Sequence, residues 1–264
     1  TLAERSNFYL SFAIAQKEPT RSDFTDRYKF AADDSYPSSE KLYDWELGYA
    51  YTAPRLSLGV NLYYMKYKDQ LVPTGMVNDG DDALNVNVPD SYRRGVELSA
   101  SWRATGWFTV GANATFAQNR IENYVDALKD SPTYGKELGD RTIAYSPDVI
   151  ANAFLDFHYR GFEAVLHTQY VGKQYFTNNE NNALSLDAYC VTNLNLAYTF
   201  RTRSARSVRL GLLINNLFNA EYESNGYGYS YMDTWSGPAP VRIDEAFYFP
   251  QAPLNVLANV TVRF

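Results

Sequence analysis

The sequence lacks any long apolar run. No stretch of 18 or more apolar residues occurs in its 264 residues, so no transmembrane helix is expected. Its single cysteine, Cys190, excludes an intrachain disulfide framework and a cysteine-clustered zinc site. Basic residues are also few: 24 Lys and Arg stand against 30 Asp and Glu, and the net charge of −6 argues against a nucleic-acid-binding face. No signal peptide is visible ahead of the first patterned segment, and we expect an N-terminal part to precede Thr1.

Aromatic residues, by contrast, are abundant. Tyr 23, Phe 15 and Trp 4 make up 16% of the chain, a composition that disfavours intrinsic disorder. The mean hydropathy is −0.39, which resembles that of a water-soluble protein. Mean hydropathy does not detect β-barrels, however, because only every second residue of their strands is apolar.

Apolar side chains recur with a period of two along almost the whole chain. Leu58, Val60 and Leu62, for example, alternate with Gly59 and Asn61, which is typical of a strand with one apolar and one polar or small face. We find about ten such segments, which begin near residues 7, 43, 56, 96, 108, 149, 162, 193, 208 and 254. Most have the roughly 9–11 residues that a tilted strand needs to cross a bilayer.

The connections between these segments alternate in length. Short turns with Gly, Pro or basic residues occupy 52–55, 103–106, 160–161 and 201–207. Long loops are expected at 16–40, 69–90, 122–146, 172–187 and 220–251. Short turns on one side and long loops on the other indicate an outer-membrane β-barrel.

Aromatic residues lie near the segment ends, as expected for the girdles at the two membrane interfaces. They are Tyr49, Tyr51, Tyr64, Trp102, Trp107, Phe116, Tyr159, Phe162, Tyr170, Tyr198, Phe200 and Phe264. The alternative is that these rings form the ordinary core of a soluble β protein.

Five motifs, in order along the chain, resemble those of the TonB-dependent outer-membrane receptors. They are E-P-T-R at 18–21, E-K-x-x-x-x-E-x-G at 40–48, G-V-E-L at 95–98, N-N-L-F-N-x-x-Y at 215–222, and P-Q-A-P at 250–253 before a last strand that ends at Phe264. One departure is Leu254, where the family often has Arg, His or Gly.

The resemblance implies an all-β, antiparallel transmembrane barrel of 22 strands with a plug domain in its lumen. Residues 1–264 would then be a single, incomplete domain that supplies the last ten strands, without the plug. It implies a receptor in the outer membrane of a Gram-negative bacterium that imports a scarce nutrient with energy from TonB. The implied cargo is a ferric siderophore, with haem, cobalamin or an oligosaccharide as alternatives. The implied partners are the TonB complex, membrane lipid and lipopolysaccharide, and a surface lipoprotein.

The sequence offers little catalytic or metal-binding chemistry, and we expect neither an enzyme nor a cofactor. His158 and His167 lie on neighbouring segments and have Asp156 or Glu163 as a further metal ligand, but polar residues facing the lumen are the preferred interpretation. Ser185 and Asp187 are not arranged as a catalytic pair. The acidic run 78–82 has the oxygen density of a calcium loop without its full spacing, and a solvated loop tip is preferred there.

The best ligand candidates are the aromatic residues of the segment 225–235. Tyrosine and tryptophan offer rigid amphipathic surface at low entropic cost, and the interspersed glycines allow the segment to adapt. We therefore expect binding by Tyr227, Tyr229, Tyr231 and Trp235, joined by Tyr175 from another loop. Tyr134 and Lys136 are weaker candidates. An aromatic loop that folds on itself, or that contacts a lipoprotein, remains an equal alternative.

Two other functions fit a barrel. One is a passive porin or small stand-alone barrel with a constricting loop in its lumen, although the many small inward residues argue against a small closed barrel. The other is a surface protein that binds through its loops and transports nothing. A plug sequence upstream would argue against both.

Overall fold

A computed structural model of the protein describes residues 4–25, 36–78 and 82–264. The described chain is almost entirely β-strand, with one short helix, and its elements follow in this order: β1 (Ser6–Lys17), α1 (Arg21–Thr25), β2 (Glu40–Thr52), β3 (Leu56–Val77), β4 (Ala83–Arg103), β5 (Phe108–Ile121), β6 (Arg141–Thr142), β7 (Val149–Tyr159), β8 (Phe162–Val171), β9 (Gln174–Tyr175), β10 (Ser185–Leu186), β11 (Tyr189–Phe200), β12 (Ser207–Asn215), β13 (Glu223–Asp233), β14 (Val241–Pro250) and β15 (Asn255–Arg263). Within those residues, no helix has the length and hydropathy needed to span a membrane.

Ten long strands form one antiparallel sheet in the order β1-β2-β3-β4-β5-β7-β8-β11-β12-β15, and the short β6 lies beside β5. These are the ten segments that the period of two predicts. Neighbouring long strands are consecutive in the sequence apart from short elements of the loops and the hairpin of β13 and β14. Such a meander is what alternating short and long connections produce, since each connection joins adjacent strands.

The strand register places the apolar residues of neighbouring strands directly opposite one another. Val60 lies opposite Leu98, Leu98 opposite Ala114, and Ala114 opposite Ala151. Because opposite residues in an antiparallel pair project to the same side, one face of the sheet is predominantly apolar along its middle. We call it the apolar face, and we call the other side, which carries Asn61 and Glu97, the polar face.

Two rows of aromatic rings border the apolar face. On the side of the long loops, Phe12 and Trp45 have ring centroids 5.1 Å apart, and Trp45 and Tyr64 have centroids 5.8 Å apart. On the side of the short turns, the Trp107 and Phe157 rings meet edge to face at 5.1 Å. The aromatic residues therefore collect at the two ends of the strands, as predicted.

The buried apolar core lies among the long connections and the loop-side ends of β3, β4 and β5 that run into them. One cluster contains Val72, Val88, Ile121, Tyr124 and Ile143. A second contains Phe176, Leu184 and Leu186. We call this packed set of connections the loop layer. It follows that the long connections are folded structure with cores of their own.

Two of the expected long loops are wrong as loops. In 69–90 the paired strands β3 and β4 continue to Val77 and from Ala83, bending where Asp69 takes a φ of 55°. In 220–251 the strands β13 and β14 pair with each other as a separate hairpin. Asp, Pro and Gly at these places interrupt the apolar alternation, which hides the strands from a pattern of period two.

The helix α1 begins at Arg21, the last residue of the E-P-T-R motif, and hydrogen bonds between Thr20 and Asp23 hold its start. The Thr20 amide donates to Asp23 Oδ2 at 2.7 Å, and the Asp23 amide donates back to Thr20 Oγ1 at 3.4 Å. Asp23 also accepts a hydrogen bond from Asn85 of β4, at 2.9 Å. The first long connection is thereby attached to the extended β3–β4 hairpin.

Candidate ligand-binding surface

The hairpin β13–β14 sorts its residues onto two different faces. Along β13 the tyrosines 227, 229 and 231 alternate with Gly226, Gly228 and Ser230. Since successive side chains of a strand project to opposite sides, all three tyrosines lie on one face of the hairpin. We call this side, which β14 completes with Glu245, Phe247 and Phe249, the tyrosine face.

The glycine side of the hairpin is seated on the loop layer. A Cβ atom at Gly226 would lie 2.8 Å from Phe176 Cζ, and one at Gly228 would lie 2.9 Å from Leu184 Cδ2. The Tyr248 hydroxyl donates to the Ser185 carbonyl oxygen at 3.2 Å. Only residues without side chains fit this closely, so the glycines fix the hairpin's seat and direct the tyrosines away from it.

The tyrosine face is a connected aromatic surface. The Tyr227 and Phe247 rings stack with centroids 4.9 Å apart and an interplanar angle of 15°. Glu245 accepts hydrogen bonds from the hydroxyls of Tyr229, at 2.8 Å, and Tyr231, at 3.2 Å. Tyr227 is 45% exposed and Tyr231 is 44% exposed. The carboxylate thus orders the rings, and their faces stay accessible to a ligand.

An ion pair beneath the tyrosine face fixes the hairpin further. Burial alone would raise the pKa of Asp244, but hydrogen bonds from Ser230, Arg242 and Asn181 outweigh it and hold that pKa below its ordinary value. Asn181 belongs to the loop between β9 and β10, and its amide nitrogen lies 2.8 Å from Asp244 Oδ2. The charged form of Asp244 therefore bonds the hairpin to its seat.

Trp235 lies at the tip of the hairpin and is 91% exposed. The turn before it is closed by Asp233, whose Oδ1 accepts from the amides of Trp235, at 2.9 Å, and Ser236, at 3.2 Å. The structure thus brings four of the five expected ligand-binding residues to one hairpin. Three share its tyrosine face, and the fourth projects from its end.

Tyr175 is placed differently from the expectation. It lies in β9, next to Phe176, and so on the seated side of the hairpin. Its ring lies under Lys173, with Nζ 4.9 Å from the centroid, and its carbonyl oxygen accepts from the Tyr145 amide at 2.8 Å. In the structure, therefore, Tyr175 is a component of the loop layer and not of the hairpin that carries the tyrosine face.

Asn178 joins three connections of the loop layer. Its side chain is fully buried; Nδ2 donates to the Pro73 carbonyl at 2.7 Å, and Oδ1 accepts from the Ala144 amide at 2.8 Å. Close by, Glu180 accepts from Arg120 Nη1 at 2.9 Å and from the Thr142 amide at 2.9 Å. Burial raises the pKa of Glu180, but these hydrogen bonds and charges lower it more, so its carboxylate stays ionised.

A polar recess of about 340 Å³ opens on the polar face below the loop layer. The Tyr9 hydroxyl donates to Asn61 Oδ1 at 3.0 Å, and Asn61 Nδ2 donates to Glu97 Oε2 at 3.2 Å. At the upper end, Arg93 Nη1 donates to Ser146 Oγ at 3.0 Å. Charged and amide groups thus continue from beneath the loops along the polar face.

The two histidines do not share a site. His158 lies opposite Glu163, while His167 lies opposite Phe154, four residues further along β7. At about 3.3 Å per residue they are roughly 13 Å apart along the strands. His158 Nε2 instead lies 2.5 Å from Asp156 Oδ1. In the described part of the chain, no three His, Cys, Asp or Glu side chains converge as metal ligands.

The remaining candidates occupy ordinary loop positions. Residues 79–81 of the acidic run 78–82 lie outside the described residues. Lys136 Nζ donates to the Pro132 carbonyl of its own loop at 2.7 Å, and the Tyr134 amide donates to the Ser131 carbonyl. The Ser185 hydroxyl donates to the Asn182 carbonyl at 2.9 Å.

Sequence reasoning missed the contribution of β14 to the tyrosine face. Ile243, Glu245, Phe247 and Phe249 alternate with polar or smaller residues at the period of a strand, after the turn residues Gly237 and Pro238. This alternation beside the alternating tyrosines is the signal that predicts a hairpin.

A family model described as TonB dependent receptor-like, beta-barrel, matches residues 2–217. The chain belongs to this family. Receptors of the family are outer-membrane proteins of Gram-negative bacteria and are not enzymes, in agreement with the localisation and the absence of catalysis expected from the sequence. The apolar face of this TonB-dependent receptor is therefore its lipid-facing side.

Curated relatives and solved structures agree with the family. The pesticin receptors of Yersinia enterocolitica and Yersinia pestis are 26% and 25% identical over 190 residues, which is 72% of this chain and 26% of each relative. The chain thus spans about a quarter of the length of these relatives. It also overlays, over its whole length, on 36% of the ferric yersiniabactin uptake receptor FyuA of Yersinia pestis, with a TM-score of 0.67 and 19% identity.

Two further structures have the same fold. The chain covers 34% of the ferric-catecholate import receptor Fiu of Escherichia coli K12, with a TM-score of 0.65 and 18% identity. It covers 38% of the copper transporter OprC, with a TM-score of 0.68 and 19% identity. In both cases the whole of this chain is covered.

Proposed function

We propose that this protein is an outer-membrane active-transport receptor that binds a scarce nutrient at its loops and imports it with energy from the TonB complex. The observation that carries the proposal is the tyrosine face, an ordered and accessible aromatic surface on a hairpin seated in a packed loop layer. Rigid rings of this kind bind ligands without a large loss of conformational entropy. Membership in the TonB-dependent receptor family supports the transport role.

The proposed cargo is a metal chelate, and foremost a ferric siderophore. The names of FyuA and Fiu state that those proteins take up ferric chelates, and OprC is named a copper transporter. A siderophore combines apolar or aromatic parts with polar metal-binding groups. The tyrosine face offers rings for the former, while Glu245 and the hydroxyls of Tyr229 and Tyr231 are available to the latter. Haem, cobalamin and oligosaccharides are the alternatives to be tested beside it.

The complete receptor is proposed to be a barrel of 22 strands around a plug, of which this chain supplies ten strands. In the described part of the chain, β1 and β15 each pair on one side only, so each offers a free edge to further strands. The polar face and its recess are suited to contact a hydrophilic plug. The TonB complex is proposed to act through the plug, and a surface lipoprotein remains a candidate partner at the loops.

A passive porin, a small stand-alone barrel and a surface protein without transport are not favoured by the comparisons. The full-length receptor therefore tests the proposal directly. Cells that lack it and cells that carry it are to be compared for uptake of iron from several ferric siderophores, from haem, and of cobalamin. Uptake of at least one of these only in cells with both receptor and TonB is expected, and uptake that persists without TonB would reject active transport.

The position of the binding surface is tested by the double substitution Tyr227→Ala and Tyr231→Ala. Loss of two exposed anchor rings is expected to weaken binding of the transported chelate by about tenfold or more, measured by quenching of protein fluorescence. Phe218→Ala is the control, because Phe218 is also exposed but lies outside the hairpin. Unchanged affinity in the double variant would move the binding site elsewhere without affecting the transport proposal.

A further inference from the structure

A group of basic residues lies on the lipid-facing side of the sheet. It follows, toward the long loops, the aromatic row of Phe12, Trp45 and Tyr64. On the apolar face, Lys41 lies opposite Lys68, Lys66 opposite Tyr43 and Tyr92, and Arg94 opposite Tyr64. We call Lys41, Lys66, Lys68 and Arg94 the basic patch. Lys41, Lys68 and Arg94 are exposed. This concentration of positive charge stands out in a chain whose net charge is −6.

The carboxylates near the basic patch are too few to neutralise it. Lys66 Nζ lies 2.9 Å from Asp90 Oδ1 and also pairs with Glu122, while Lys68 pairs with the same Asp90. Among the described residues, neither Lys41 nor Arg94 has a carboxylate partner. Arg94 instead directs Nε and Nη2 to Gln118 Oε1, at 2.8 and 2.6 Å, and lies 5.1 Å from the centroid of the Tyr92 ring.

The opposition of Lys41 and Lys68 is unfavourable unless an anion joins them. Like charges directly opposite in an antiparallel pair repel each other at a Cβ separation of about 5 Å. Asp90 and Glu122 together balance the charges of Lys66 and Lys68, so the charge of Lys41 beside Lys68 is left without a counter-charge among the described residues. A bound phosphate oxygen between the two ammonium groups would turn this repulsion into attraction.

The height of the patch identifies the source of the anion. Phe12, Trp45 and Tyr64 form the upper aromatic row, and such rows mark the level of lipid headgroups. Below this row the apolar face continues with Leu47, Leu62, Val60 and Leu98. The basic patch follows on the loop side, where the outer leaflet carries its phosphorylated headgroups, and basic residues at this level bind anionic lipid.

We propose that the basic patch is a docking site for the phosphorylated headgroup of lipopolysaccharide. The patch extends over five residues of β4, from Asp90 to Arg94, which is roughly 13 Å along the strand. A headgroup with more than one phosphate spans this length, with one phosphate at Lys41 and Lys68 and another at Arg94. The guanidinium of Arg94 has donors left over for phosphate oxygens, and its planar fork suits them.

The test compares two triple variants of the full-length receptor extracted from outer membranes in mild detergent. The patch variant is Lys41→Gln, Lys68→Gln and Arg94→Gln. The control is Arg201→Gln, Arg203→Gln and Arg206→Gln, three exposed arginines of the turn at the opposite membrane side. Both remove three positive charges. Lipopolysaccharide retained per receptor, measured by mass spectrometry, is expected to fall roughly tenfold or more in the patch variant only, since each basic residue contributes separately.

Further arms separate the possible sources of the anion. Wild-type receptor is to be titrated with lipid A, with dephosphorylated lipid A and with inorganic phosphate. Binding of lipid A alone supports the proposal. Equal binding of the dephosphorylated lipid, or full competition by millimolar inorganic phosphate, would overturn it, as would equal retention in both triple variants. If the patch variant fails to assemble, the single variant Lys41→Gln tests the proposal, because this exposed side chain makes no ion pair among the described residues. Lipopolysaccharide retention equal to that of the wild type would then reject the site.

Discussion

A single buried amide side chain holds three parts of the loop layer together. Asn178 bonds the carbonyl of Pro73 and the amide of Ala144, which are 105 and 34 residues away in the sequence. A buried asparagine of this kind satisfies backbone groups that would otherwise face an apolar core without a partner. The arrangement depends on its shape, because one end donates and the other accepts.

Asn178→Ala is expected to destabilise the loop layer by about 2–4 kcal/mol, because it leaves a buried donor and a buried acceptor unpaired. The rest of the ten strands should be unaffected, since the hydrogen bonds of Asn178 reach only the loop layer and the loop-side end of β3. Amide hydrogen exchange resolved by peptide measures this as faster exchange in 70–78 and 141–146, with unchanged exchange in the remainder of the ten strands.

The neighbouring Asn179 provides the control for this prediction. Its Oδ1 is buried without a hydrogen-bond partner, so Asn179→Ala removes no such bond at that oxygen. In the variant Asn179→Ala, the amides of 70–78 and 141–146 are expected to exchange nearly as slowly as in the wild type. If both variants loosen the loop layer equally, the bonds of Asn178 are not what joins the three connections.

At the scale of elements, the seat of the hairpin β13–β14 depends on two glycines. A Cβ at Gly228 would meet Leu184 Cδ2 and Phe176 Cδ2, both at 2.9 Å, and the Glu245 carbonyl oxygen at 2.8 Å. One of these neighbours is backbone and cannot rotate away. The hairpin must therefore shift when a side chain is introduced.

Gly228→Ala is accordingly expected to cost about 1–3 kcal/mol, the usual cost of overpacking, and to weaken ligand binding by displacing the tyrosine face. Gly237→Ala, in the turn of the same hairpin, should be tolerated, because nothing lies within 4 Å of its added Cβ. Thermal unfolding followed by tyrosine fluorescence measures both. Equal stability of the two variants would show that the hairpin does not rest on the loop layer as described.

The sequence was sufficient to predict the ten long strands, because each buries or exposes its side chains with a period of two. It was insufficient for the hairpin, since the seated side of β13 is made of glycine and serine and shows no apolar alternation. The tyrosines 227, 229 and 231 were identified as a group, but Phe247 and Glu245 were not. The residues on which the glycine side rests, Phe176 and Leu184, precede Gly226 and Gly228 by some 40 to 50 residues, and no local pattern encodes that contact. The position of Tyr175 within the loop layer was not predictable for the same reason.

At the scale of the whole molecule, the register divides the sheet into a lipid face and a polar face. Val60 and Asn61 are adjacent residues of β3 that lie on opposite faces. An arginine at each of them therefore tests this division at nearly the same depth in the membrane. Val60→Arg is expected to cost roughly 2–4 kcal/mol near the middle of the bilayer, because a charge replaces an apolar side chain in lipid. Asn61→Arg should cost much less, since its surroundings are polar and include Glu97.

Urea unfolding of the full-length receptor from lipid vesicles measures both free energies. Leu212→Arg on β12 is expected to behave as Val60→Arg, because Leu212 shares the same face through its pairing with Leu196 and Ala258. Similar losses for Val60→Arg and Asn61→Arg would contradict the assigned faces.

The location of the buried core gives this chain two separate sources of stability. The strands obtain theirs from lipid along an exposed apolar face, whereas the loop layer hides Phe176, Leu184 and Tyr124 from water as a globular domain does. A change in bilayer thickness therefore alters the stability of the strands and leaves the stability of the loop layer unchanged. A substitution in the loop layer can therefore change the packing of the connections without changing the fit of the strands to the membrane, and the two parts respond separately although one polypeptide forms both.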